Sequence, residues 1–118
     1  MADMDISSAN IAASRVNGTE VYNRAGEHLG SIHDVVIGKR DGKVKYAIMS
    51  FGGFLGIGEE YHPLPWSALD YETNAGGYVV DLDRKKLEGA PRYSPRTEPN
   101  WSDETYGRGI DSYYGVRR

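Results

Sequence analysis

The sequence predicts an all-β domain, on three observations. Between Val16 and Leu82 the chain runs as short β-rich segments separated by turn residues at close intervals, the all-β pattern rather than a βαβ one. Asp41-Gly42 divides two apolar runs, and this pair is favoured in hairpin turns because both residues tolerate positive φ. Val44, Tyr46 and Ile48 alternate with Ala47, Met49 and Phe51, which puts each set on its own face of one strand.

The elements follow in chain order. "MADMDISSANIAASR" carries Asp3 and Asp5 where a secretory signal has positive charge, and it lacks the apolar run of such a signal, so 1–13 reads as a flexible leader. "VNGTEVYN" leads into a turn at Asn23 to Gly26, and "LGSIHDVVIG" then supplies Ile32, Val35, Val36 and Ile37. The strand "VKYAIMSF" is apolar on both faces, which predicts a central strand or a curved sheet whose second face another segment covers. In "SFGGFLGIGEEYHPLPW", Gly52, Gly53, Gly56 and Gly58 could cradle a phosphate, but Glu59 and Glu60 follow and would repel it. The stretch therefore reads as a tight reversal with Phe51, Leu55 and Ile57 packing inward; Phe54 or Leu55 at the surface would instead mark a contact site.

Pro63 and Pro65 stand two apart, on one side of a strand, which predicts an edge or bent strand. "SALDYET" and "GGYVVDLD" flank a turn at Asn74 to Gly77, with Tyr78, Val80 and Leu82 alternating inward. In "DRKKLEGAP", Asp83 is placed as an N-cap, Leu87 as a buried anchor and Gly89 as a stop, so a short helix follows the last strand. The remaining 94–118 is too aromatic for a purely disordered tail. Tyr106, Ile110, Tyr113 and Tyr114 share one helical face, although Gly107 and Gly109 weaken an isolated helix, and the segment is expected to dock on the preceding domain or on a second subunit.

The chemistry is bounded as much by what is missing. The 118 residues suffice for one domain with a single core. A formal charge of −3, with acids and bases interspersed, argues against nucleic-acid binding by bulk electrostatics. Zero cysteines removes disulfides, thiolate metal sites and Cys nucleophiles, and fits a reducing, cytoplasmic setting. No apolar run is long enough for a transmembrane helix, so no membrane insertion is expected. His28, His33 and His62 lie on separate segments with no helical pair and read as surface or hydrogen-bonded residues, so no metal is expected. Ser31, Ser50 and Ser67 sit in no nucleophile elbow, and Asp34, Asp70, Asp81 and Asp83 carry no pairing motif. Asp34, inside an apolar run, reads as an acceptor for backbone amides of a neighbouring turn, and Trp66, Tyr71 and Tyr78 read as core. No catalytic, metal or cofactor residue is assigned.

Gly30-Ser31-Ile32-His33-Asp34-Val35, "FGGFLGIGE", "PLPWSAL" and the closing "LEGAP" together resemble the PRC-barrel domain family, over about Ser14 to Tyr93. The resemblance implies a small, strongly bent antiparallel β-barrel over 14–93; the short helix after the last strand and the partly ordered extension over 94–118 are read from the residues above, and the extension lies outside the resemblance. It is the fold of the cytoplasmic domain of the photosynthetic reaction-centre H subunit and of the ribosome maturation factor RimM. The family has no common catalytic residues and works by docking. The resemblance therefore implies a non-enzymatic protein-interaction or assembly module of the free-standing bacterial type, with a second copy of the chain, as a homodimer, the leading candidate partner. Phe54, Leu55, Ile57, Trp101, Tyr106, Tyr113 and Tyr114 are the candidate partner-binding residues. The alternative, by resemblance to RimM, is an RNA- or ribosome-associated maturation factor.

Overall fold

The structure, a computed structural model, describes residues 10–51 and 60–116. Phe54, Leu55 and Ile57, the glycines around them and most of the expected leader lie outside the described residues. The elements are α1 (Ala13–Val16), β1 (Glu20–Asn23), β2 (His28–Ile37), β3 (Val44–Phe51), β4 (Glu60–Pro65), a 3₁₀ turn (Trp66–Ala68), β5 (Asp70–Glu72), β6 (Gly77–Val80), α2 (Arg84–Glu88) and α3 (Glu104–Tyr114).

Local chemistry explains most of these boundaries. At the turn after β1, the Asn23 side-chain oxygen accepts from the Ala25 and Glu27 amides at 3.0 and 2.9 Å. In the β2–β3 hairpin, Gly42 has φ 71°, and Asp41 accepts from the Lys43 amide at 2.9 Å. Asp83 caps α2 by accepting from the Lys86 amide at 2.7 Å, and Leu87 is fully buried, as its spacing predicted. One start differs from expectation: Val16 ends α1 and is buried, and β1 begins only at Glu20, after the Gly18 amide has bonded the Ile32 carbonyl at 2.6 Å.

The six strands form one sheet in the order β4-β3-β2-β1-β6-β5. Four pairings are antiparallel, but β1 and β6 run parallel, with Val21 opposite Tyr78. The expected all-antiparallel barrel is corrected here: the sheet is mixed, and β4 and β5 are its edges rather than hydrogen-bonded neighbours. Turn signals report only strands joined by short loops, whereas a parallel pair is joined by a long crossover that leaves no local mark.

The sheet is nevertheless not flat. Six flat strands would put β4 and β5 about 24 Å apart. Five Cα steps link Pro65 to Asp70, and they span at most about 18 Å. The sheet therefore curves, and the Trp66 ring of the connection sits 5.6 Å from the Tyr78 ring of β6.

Each face has its own core. The inner face packs Val21, Leu29, Ile32, Met49, Leu64 and Val80 under Leu87 of α2. The outer face packs Tyr46 and Ile48 of β3 against Ile110 of α3, which is the second cover that the two-faced sequence of β3 requires. The prolines behave as expected for an edge. Tyr61 exchanges backbone hydrogen bonds of 2.9 and 3.0 Å with Tyr93, outside the sheet. Pro63 and Pro65, two and four residues on, turn their nitrogens to that same side, where β3 asks for no donor.

Gly30 lies where a Cβ would fall on the Ser50 carbonyl oxygen, a backbone atom that cannot yield. Gly30→Ala is expected to cost about 2–3 kcal/mol by denaturant titration. Gly109→Ala, in open space on α3, is expected to gain up to about 1 kcal/mol.

Candidate functional site

The C-terminal segment builds the first candidate surface. α3 has Asp103 as N-cap, accepting from the Thr105 amide at 2.9 Å, and ends on Gly115 at φ 71°. Eleven residues with two glycines do not make a stable helix alone, so docking holds it. Ile110 is buried against the sheet, and a Cβ at Gly107 would lie 2.9 Å from the Tyr46 hydroxyl, so the glycine is what lets α3 approach β3. The Tyr113 hydroxyl donates to the Lys86 carbonyl at 2.5 Å, tying α3 to α2.

An aromatic row runs across this face. His33 stacks on Tyr61 at 4.2 Å, and edge-on contacts of 5.5 to 5.9 Å continue through Tyr93 and Trp101 to Tyr106. The Trp101 indole donates to Glu98 at 2.7 Å. The structure thus places Trp101, Tyr106, Tyr113 and Tyr114 half-buried on the chain's own domain. The fit is imperfect, since the buried hydroxyls of Tyr106 and Tyr114 have no hydrogen-bond partner among the described residues. Burial first, then the neighbouring Tyr46 and Tyr113 respectively, pushes both phenols up.

The second region is the sheet end from which the 52–59 segment leaves. Phe51 lies half-buried, edge-on to His62 at 5.3 Å and under the Arg84 guanidinium at 5.5 Å. Charged pairs surround it. Arg84 bonds Glu27 at 2.8 Å and Arg92 meets Glu60 at 2.9 Å. The Arg84 bond, then that from Asn23, holds the Glu27 carboxyl below its usual range.

His62 is fully buried, and neither ring nitrogen has a hydrogen-bond partner among the described residues. Burial, reinforced by Arg92 and opposed by Glu60, lowers its pKa to about 4. This corrects the expectation of a surface or hydrogen-bonded histidine. The alternation of β4 explains it, because His62 shares the inward face with Leu64 while the prolines face out. His28, in contact with Glu20, and exposed His33 do follow the expectation. No cluster of three metal-ligating side chains occurs among the described residues.

Two other expectations change. Asp34 is exposed at a bulge, where its carboxylate accepts from the adjacent Val35 amide at 2.8 Å rather than from a turn. Tyr71 is not core but 56 % exposed, because β5 is an edge.

Sequence averages also hid a local charge cluster. Lys39, Arg40, Lys43 and Lys45 crowd the β2–β3 hairpin around the single acid Asp41. Asp41 pairs with Lys45 at 2.9 Å, which leaves Lys39 and Arg40 without ion pairs among the described residues.

One solved structure to which the chain is similar is that of a protein named as a 16S ribosomal RNA processing protein, RimM, from Pseudomonas aeruginosa. It is 17 % identical, with a TM-score of 0.40, over 70 % of this chain and 49 % of that one, so the chain spans about half of its length. No functionally curated protein matches. Residues 9–87 match the PRC-barrel domain, and that match covers most of the chain: it belongs to the PRC-barrel domain family.

Proposed function

We propose that this chain is a non-enzymatic protein-interaction or assembly module of the cytoplasm that associates with a second copy of itself and needs no cofactor. The observation that carries the reading is the docking of α3. The outer sheet face takes up an amphipathic aromatic helix, through Tyr46 and Ile48, as a partner-binding groove does. Two glycines and two unpartnered phenols make that helix a modest fit, so the same face can accept α3 from another copy. The curved sheet is read as the family's barrel, closed by side chains such as Trp66 against Tyr78 instead of by a ladder.

The apolar residues Phe54, Leu55 and Ile57 follow Phe51, whose surroundings are the Arg84–Glu27 and Arg92–Glu60 pairs. An apolar centre within a charged rim is the ordinary anatomy of an interface. Phe54→Ser with Leu55→Ser is expected to lower the solution mass measured by light scattering from dimer toward monomer, at an unchanged melting temperature. A full chain that stays monomeric at every concentration overturns the self-association reading.

A further inference from the structure

Of the three large apolar side chains exposed among the described residues, Ile11, Ile37 and Tyr71, the last two stand beside charges of opposite sign. Ile37, 46 % exposed, stands next to the unpaired cations Lys39 and Arg40 at the hairpin tip. These residues, with Lys45 and Trp101, line a depression of about 570 Å³. Tyr71, 56 % exposed, stands between Asp70 and Glu72 on β5. Asp70 is partly engaged by Arg24 at 2.8 Å, while Glu72 has no ion pair among the described residues. β5 is also a sheet edge, whose outward backbone groups are a template for another chain.

One molecule cannot bring these patches together. Through Tyr78 and Val21, Tyr71 lies level with Gly30 of β2, and Ile37 stands seven residues further along that strand, about 23 Å away. Nor can either patch pair well with its own copy. An antiparallel β5–β5 contact centred on Tyr71 sets Asp70 opposite Glu72, and two hairpin tips oppose six cations, Lys39, Arg40 and Lys43 of each, that have no ion pair among the described residues. Tip against edge, in contrast, matches cation to carboxylate and Ile37 to Tyr71.

We propose that copies of this chain associate head to tail, the Ile37, Lys39 and Arg40 tip of one docking on the Asp70, Tyr71 and Glu72 edge of the next. This rests on the self-association reading above and adds to the contact served by Phe54 and Leu55 a second one, through which dimers join. Such a contact is heterologous, so it repeats until a ring closes or a filament grows, instead of stopping at a symmetric dimer. A nucleic acid is the poorer occupant of the tip. Trp101 is already held among Tyr46, Tyr93 and Tyr106 with its indole on Glu98, so it offers no free stacking face.

Charge reversal tests the match. The full chain is expected to gain mass beyond a dimer as concentration rises, and to lose it at about 1 M salt, where the screening length is about 3 Å. The variants K39E/R40E and D70N/E72K, each alone, are expected to associate at least about tenfold more weakly. Mixed in equal amounts they should associate again, because the reversed tip of one now suits the reversed edge of the other. Equal melting temperatures verify folding, and the uncharged Ile37→Ser should weaken association in the same way if a charge variant fails to fold. A full chain that never exceeds monomer mass overturns self-association altogether. A full chain that stops at dimer mass, or mass beyond a dimer that survives both reversals or that mixing does not restore, overturns the head-to-tail contact and leaves self-association standing.

Discussion

Replacing Ile110 by alanine is expected to lower the unfolding free energy by about 2–4 kcal/mol. Ile110 is 1 % exposed and is the α3 side chain at the centre of the outer core, where it meets Tyr46 and Ile48. The loss extends beyond its own contacts. α3 is eleven residues with two internal glycines, too short and too flexible to persist without the sheet. Loosening it weakens the contact of Trp101 with Tyr106 and the Tyr113 bond to Lys86 as well. The change should appear together as a lower denaturation midpoint, reduced helical circular dichroism and a red-shifted tryptophan emission. A cost below about 1 kcal/mol, with emission unchanged, would mean that α3 contributes little to the fold. That result would remove the basis for treating the outer face as a helix-binding surface.

Acidification from pH 7 to pH 4 is expected to remove up to about 3 kcal/mol of stability through His62 alone. Its folded pKa is about 4 and its unfolded value 6.5, so between these the unfolded chain binds the extra proton. The contribution is complete above pH 6.5 and is lost as pH falls toward 4. Glu27 and Asp41, lowered chiefly by the Arg84 bond and by the Lys43 amide, begin to add their losses as pH falls through the ordinary values of 4.5 and 3.8, so the His62 window stands apart above about pH 5. His62→Leu should abolish the slope between pH 6.5 and about 5 and should keep or raise stability at pH 7, because two ring nitrogens without hydrogen-bond partners among the described residues leave the core. Denaturant titrations of both proteins at several pH values check this, and an unchanged slope in the leucine variant would assign the acid sensitivity elsewhere.

These predictions rest on features that the sequence revealed unequally. Asp41-Gly42, the Asp83 cap and the paired prolines were legible because each is settled by its immediate neighbours. The two apolar faces of β3 were legible because alternation alone assigns them, and they correctly required a second cover. The parallel pairing of β1 with β6 was not legible, since it depends on residues brought together from opposite ends of the domain. The burial of His62 was within reach, because Leu64 and the flanking prolines fix which way β4 faces; a polar residue type outweighed its position. The charge of the hairpin tip was lost in an average over 118 residues, although Lys39 and Arg40 stand at the surface.

The parallel seam between Val21 and Tyr78 also sets an order of events during synthesis. β1 can pair with β2 as soon as the first hairpin emerges, but its other side stays open until β6 has been made. Contacts so distant along the chain close slowly, because the intervening loop must be ordered first. β3 waits longer still: Tyr46 and Ile48 have no lid until α3, which follows all six strands in the chain, leaves the ribosome. A nascent chain therefore exposes first an unpaired strand edge and then an apolar sheet face, and both invite aggregation. Emergence of α3, rather than hairpin formation, is the step that ends this vulnerable interval.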